Sequence, residues 1–205
     1  MEQASSEQNP ELSVVLDRGR FQLLSGDAIY SWDDLYRNFD LAFHALDLKQ
    51  YPYQDVLLLG LGLGSVPFLL EKKYKLDYCY TAVEWDETVA ELAERYTLSR
   101  LKSPIETVIA DAEVFVEICE DTYDMLIVDI FEDDLTPPQF ETKEFLIACD
   151  QLLKPGGILL FNRLYSSVAN KTFTTRFFER KFSTVFQNAT YIDTKGNWIL
   201  VYQKT

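Results

Sequence analysis

From residue 55 onward the chain alternates short, mostly apolar runs with amphipathic stretches, and this rhythm constrains the fold most. Asp55–Leu59, Tyr78–Val83, Ile105–Ala110, Met125–Ile130 and Ile158–Phe161 read as strands. Helical patterns fall between them at Ser65–Tyr74, Asp86–Tyr96, Glu113–Ile118 and Gln139–Leu153. Strands apolar on both faces need cover on both sides, which predicts a parallel sheet between two helix layers. After a helical pattern near Val168–Lys181 come two more strand runs, Thr184–Tyr191 and Trp198–Gln203. The segment between them is too short for a crossover helix, so they must form an antiparallel hairpin.

The first fifty residues lack that rhythm. Residues 1–10 are polar and expected to fray. Leu12–Leu16 and Arg20–Leu24 flank the turn Asp17-Arg18-Gly19 and predict a hairpin. Ser31 has the chemistry of a helix cap, ahead of an apolar face of Trp32, Leu35, Tyr36, Phe39, Phe43 and Leu46. The expected division is a hairpin-and-helix appendage over 1–50 and an α/β domain over 51–205. A chain of 205 residues has the length for one domain with such an appendage.

Charge narrows the partners. Lys and Arg number 19 against 33 Asp and Glu, a net charge of −14. Such a surface repels phosphate backbones and anionic lipid, so no nucleic-acid or membrane partner is expected, and a small cation is favoured. No apolar run approaches the roughly 18 residues of a membrane helix, and the N-terminus lacks the basic start and apolar core of an export signal. Cys79, Cys119 and Cys149 lie far apart in apolar segments. They read as buried thiols in a reducing compartment, which places the protein in the cytoplasm. The single histidine, His44, sits beside the aromatic stripe, so neither a His-rich metal site nor a His-based triad is expected.

The chemistry gathers at the ends of the apolar runs. Gly60-Leu61-Gly62-Leu63-Gly64-Ser65 follows the first parallel strand directly. Glycines there permit a tight turn and close approach of a ligand, at the sheet edge where such folds bind nucleotides or nucleosides. Glu84 ends the second strand, at the position where an acid accepts both hydrogen bonds of a ribose diol. Asp111 ends the third strand and Asp129 the fourth. Three acids in register beside a glycine turn point to one shared pocket, although Asp111 also suits a helix cap. Glu132, Asp133 and Asp134 follow Asp129, as an amine-binding loop or as a solvated acidic turn.

At this point the chain resembles a known family. The stretches DVLLLGLGLGS, TAVEWDETV, VIADAEVF, YDMLIVDIF and LLKPGGILLFN, spanning Asp55–Tyr165, are similar to the class I S-adenosylmethionine-dependent methyltransferase superfamily, in its spermidine synthase-like branch. The resemblance implies a three-layer Rossmann-like α/β fold. Its mostly parallel seven-stranded sheet ends in an antiparallel hairpin, and a short N-terminal hairpin and helix precede it. GDAIYS, after the first hairpin, resembles the entry to a spermidine synthase, although full-length members carry a longer N-terminal β-domain.

Carried over by position, Gly60, Gly62 and Gly64 would pass under the methionine-like tail of S-adenosylmethionine or its decarboxylated form. Glu84 would hold the ribose, Trp85 would contact the adenine, and Asp111, beside Ala112, would accept from its amino group. Asp129 would help deprotonate the attacking amine, and Glu132, Tyr30 and Gln22 would line the acceptor channel. The resemblance implies no metal, and it implies pairing of two identical subunits, with the N-terminal aromatic helix as a face.

Two departures qualify the transfer. Members using the decarboxylated cofactor carry an acid inside the glycine turn, where this chain has Leu63, and they repeat aspartate where it has Glu132. The expected function is a transferase alkylating a small, cationic amine acceptor. A small-molecule methyltransferase and a non-catalytic nucleoside-binding relative are the alternatives. A nicotinamide oxidoreductase is disfavoured because Ser65 replaces the third glycine of that fingerprint.

Overall fold

The computed structural model describes residues 2–26, 28–132 and 135–205. Asp27, within GDAIYS, and Asp133 and Asp134 of the acidic loop lie outside the described residues.

The N-terminal region is more than a hairpin. β1 (Glu2–Ala4), β2 (Leu12–Asp17), β3 (Arg20–Ser25) and β4 (Ala28–Trp32) form a four-stranded antiparallel sheet in that order. The first residues therefore do not fray. Glu2 pairs with Val14 and Ala4 with Leu12, because a strand edge with free backbone donors is open to them. Ser31 is no helix cap either. It lies in β4, and its hydroxyl meets that of Ser65 at 2.6 Å. A 3-10 turn over Asp33–Leu35 delays the helix, and α1 runs only from Arg37 to Leu46.

α1 buries Phe39, Ala42 and Phe43 completely in the protein's own core. Phe39 and Phe43 of the aromatic stripe are thus taken up by the core, while Trp32, Leu35, Tyr36 and Leu46 stay half-buried. His44 lies on the exposed side of α1.

The second sheet has seven strands. Five are parallel: β5 (Asp55–Leu59), β6 (Cys79–Glu84), β7 (Ile105–Ile109), β8 (Tyr123–Val128) and β9 (Leu153–Leu164). β10 (Thr190–Asp193) and β11 (Asn197–Gln203) close it as an antiparallel hairpin, giving the order β10-β11-β9-β8-β5-β6-β7. The expected start of the hairpin at Thr184 is too early. Ser183–Val185 is helical, because Phe178, Phe182 and Phe186 recur at helical spacing and stack successively on one another.

The reason for burial on both faces is visible along β5. Val56 and Leu58 enter a core with α1 and α2 (Ser65–Phe68, continuing as a wider π-type coil over Leu69–Tyr74). Leu57 and Leu59 enter the opposite core, under α4 (Ala112–Ile118), α5 (Lys143–Gln151) and α6 (Val168–Phe177). A third cluster joins the two sheets: Leu12, Val14 and Leu23 meet Leu63 of the glycine turn and Val89 and Leu92 of α3 (Glu87–Tyr96). Of the cysteines, Cys149 is buried and Cys119 half-buried, but Cys79 is exposed, since β6 begins at the open end of the sheet. No helix among the described residues is long and apolar enough to cross a membrane.

Candidate active site

The order of the large sheet reverses at β5, which has β6 on one side and β8 on the other. Ligands of open α/β sheets bind outside the carboxyl ends of the strands at such a switch point. The glycine turn leaves β5 there and Asp129 leaves β8. The Gly60 N–H donates to the carbonyl of Val83 at 2.9 Å, and the Asp129 N–H to that of Leu59 at 2.8 Å.

The three glycines have positive φ, at 89° for Gly60, 53° for Gly62 and 83° for Gly64. Protein contacts also require them. A Cβ on Gly60 would collide with the Asp129 carbonyl, one on Gly62 would stand 3.3 Å from the Ser31 Cβ, and one on Gly64 would meet Leu98 at 2.6 Å. The turn's tightness therefore follows from close packing as well as from any ligand.

Glu84 is built into this turn. Its Oε2 accepts from the N–H groups of Leu61 at 3.1 Å and Gly62 at 3.3 Å, and its Oε1 from that of Asp86 at 3.2 Å. Burial raises its pKa, and the three backbone donors oppose that rise. Three of the roughly four lone-pair sites of the carboxylate are thus taken, and Oε1 keeps the remaining one. Beside it Trp85 is 51% exposed, and Ile109, paired with Glu84 across β6 and β7, is 47% exposed. A large apolar surface next to a fixed carboxylate suits a flat, hydroxylated ligand such as a nucleoside. Asp111 is exposed and caps α4, its Oδ1 accepting from the N–H groups of Glu113 at 2.7 Å and Val114 at 3.4 Å; Ala112 is buried behind it.

Asp129 has the most specific surroundings. The Tyr36 hydroxyl donates to its carboxylate, 2.9 Å from Oδ2 and 3.2 Å from Oδ1. Asn162 Nδ2 donates to Oδ1 at 2.8 Å, and Asn197 Nδ2 donates to Asn162 Oδ1 at 2.9 Å. Burial pushes the Asp129 pKa up to about 6, against the two hydrogen bonds that lower it. Tyr36, desolvated beside that carboxylate, is raised well above the ordinary tyrosine value, so it stays a donor. A carboxyl that titrates near neutrality at a strand end is suited to take a proton from an ammonium group.

Of the other expected acceptor residues, Tyr30 lies against the glycine turn, its carbonyl 3.4 Å from where a Cβ of Gly62 would stand. Glu132 is exposed and pairs through its backbone with Leu135. Tyr30 packs against the cluster of Leu12, Leu23 and Leu63, and Gln22 is buried in β3 opposite Trp32. Leu63 itself is fully buried, turned into that cluster. Sequence reasoning missed Tyr36, Asn162 and Asn197. Tyr36 passed as one more member of an aromatic stripe. Asn162, a polar residue closing an apolar strand run, was a signal open to reading.

Comparison with known proteins bears on the family and the fold. The spermine/spermidine synthase domain matches residues 43–195. The chain belongs to that family. A polyamine aminopropyltransferase of Vibrio vulnificus is 32% identical over 117 residues, 56% of this chain and 39% of that protein. The chain thus spans well under two thirds of the curated relative it matches. A spermidine synthase solved in complex with the transition-state analogue AdoDATO superposes with a TM-score of 0.77 at 17% identity, covering 100% of this chain and 73% of that one. Human methyltransferase-like protein 13, solved with SAH, gives 0.61 at 23% identity over 84% of this chain and 78% of that one. The fold is thereby shared by the spermidine synthases and a methyltransferase.

Proposed function

We propose that the protein is a spermidine synthase-like transferase, binding S-adenosylmethionine or its decarboxylated form and alkylating a small amine. The observation that carries this is Asp129, held by Tyr36 and Asn162 beside the glycine turn at the sheet's switch point. Glu84 would hold the ribose, Trp85 the adenine, and the glycine turn the sulfonium-bearing tail. When bound, such a nucleoside supplies an electrophilic carbon next to a positively charged sulfur. Asp129 holds the acceptor nitrogen and takes its proton through the one lone pair of Oδ2 left free by Tyr36. That leaves a neutral amine lone pair to form the new N–C bond as the C–S bond breaks to a thioether. Alkyl transfer needs mainly in-line positioning and a deprotonated nucleophile, so a sparse site suffices.

Methyl transfer is the second reading, favoured by Leu63: no acid inside the turn awaits a cationic tail. Residues 51–205 are read as the nucleoside-binding unit and 1–50 as its appendage. Free cysteines support a reducing, cytoplasmic setting, and pairing of two copies stays part of the proposal without an assigned face. Incubation with putrescine and each cofactor, read by mass spectrometry, tests the function. Gain of an aminopropyl group supports the first reading and gain of a methyl group the second. No product with either cofactor and no nucleoside binding at millimolar ligand rejects both.

A further inference from the structure

The N-terminal segment reaches along α3 from end to end. At the far end, Glu2 of β1 bonds both Arg95 and Tyr96 in the last turn of the helix. At the near end, the loop between β1 and β2 grips the helix cap. Asp86 spends Oδ1 on the N–H groups of Thr88 and Val89. Its Oδ2 accepts from Ser6 Oγ at 2.5 Å and from Asn9 Nδ2 at 2.6 Å. Asn9 is fixed in turn: its N–H donates to Ser6 Oγ at 2.9 Å, and Ser25 Oγ donates to its Oδ1 at 3.2 Å. Asn9 is 7% exposed and Asp86 1%. The Asp86 N–H then donates to Glu84 Oε1, and Trp85 lies between the two acids.

We infer that Asn9, with Ser6, is a positioning residue for nucleoside binding: it fixes Asp86, whose backbone sets the Glu84 carboxylate and the Trp85 ring. The inference rests on the proposal that Glu84 and Trp85 hold a nucleoside. Its physical content is connectivity. A buried carboxylate with four donors has one orientation. Removing the Asn9 donor leaves the buried Oδ2 with the Ser6 hydroxyl alone, and the loosened carboxylate shifts the two residues before the cap. Because nucleoside binding and the loop's grip on Asp86 are linked, the coupling is reciprocal: a bound nucleoside holds the N-terminal loop in place.

The test compares Asn9→Ala with Glu2→Ala, which loosens the same segment at the far end of α3. Binding of S-adenosylhomocysteine is measured by calorimetry, and hydrogen exchange is followed at the amides of Leu61, Gly62 and Asp86. The expected result is that Asn9→Ala weakens binding about fivefold or more, at the lower end of couplings between linked sites. It also speeds exchange at those three amides, while Glu2→Ala lowers the melting temperature and leaves both unchanged. Equal affinity of Asn9→Ala and the parent chain overturns the inference. Should the parent chain bind no S-adenosylhomocysteine, the nucleoside proposal fails separately. Exchange then decides alone whether Asn9 governs the loop, and unchanged exchange in Asn9→Ala overturns it.

Discussion

At the scale of single residues, Asp129 and Glu84 are two carboxylates whose surroundings differ, and the proposed function gives them different tasks. Asp129 titrates near 6 because burial outweighs Tyr36 and Asn162, so transfer should fall as pH drops through about 6, in a pH–rate profile. Tyr36→Phe removes a donor to the charged form, and the acid limb of that profile should move to higher pH. A limb that stays in place would separate Tyr36 from the reaction. The linkage to stability has a definite sign. The folded value lies above the roughly 3.9 of an unfolded aspartate, so the native state holds an extra proton between the two values. Asp129 therefore costs stability as pH rises from about 4 to 6, and the cost persists above that. Asp129→Asn should gain on the order of 1 kcal/mol at pH 8 in denaturant melts and lose about a hundredfold or more in transfer rate. Glu84 and Asp129 were legible in the sequence as acids closing apolar strands. Tyr36 was not, because its contact crosses from the residue before α1 to the residue after β8 and leaves no local trace.

At the scale of elements, the parallel strands and their helices were legible because the central strands β5 and β8 are apolar on both faces and α3, α4, α5 and α6 begin at the polar caps Asp86, Asp111, Thr142 and Ser167. The N-terminal sheet was only half legible. β1 is short and polar, and its pairing with β2 is set by tertiary contacts rather than propensity. The Thr184–Tyr191 run misled through its β-branched residues, where three phenylalanines at helical spacing decide the outcome. Leu63 joins the element scale to specificity. Because it is buried between β2, β3 and α3, Leu63→Asp should not install a cation-binding acid. It should bury a charge and destabilise the junction of the two sheets by on the order of 3 kcal/mol, seen as a lower denaturant midpoint. A folded Leu63→Asp of unchanged stability with tighter binding of the decarboxylated cofactor would show that the side chain faces the ligand instead.

At the scale of the whole molecule, a net charge of −14 surrounds the site proposed to take a cation. Raising salt from low to physiological strength should raise KM for an amine acceptor, while binding of the uncharged methylthioadenosine should hold nearly constant. The two sheets meet at the glycine turn, which packs on Ser31 of one and on Asp129 of the other. Both sheets therefore bear on the same rim, and everything proposed about chemistry depends on that rim receiving an adenosine moiety. The direct test is calorimetric titration of the parent chain and of Glu84→Ala with methylthioadenosine. Saturable heat for the parent chain, lost or at least about tenfold weaker in a folded Glu84→Ala, is the predicted result. Absence of heat for the parent chain at millimolar ligand, or equal affinity in the two proteins, would contradict it.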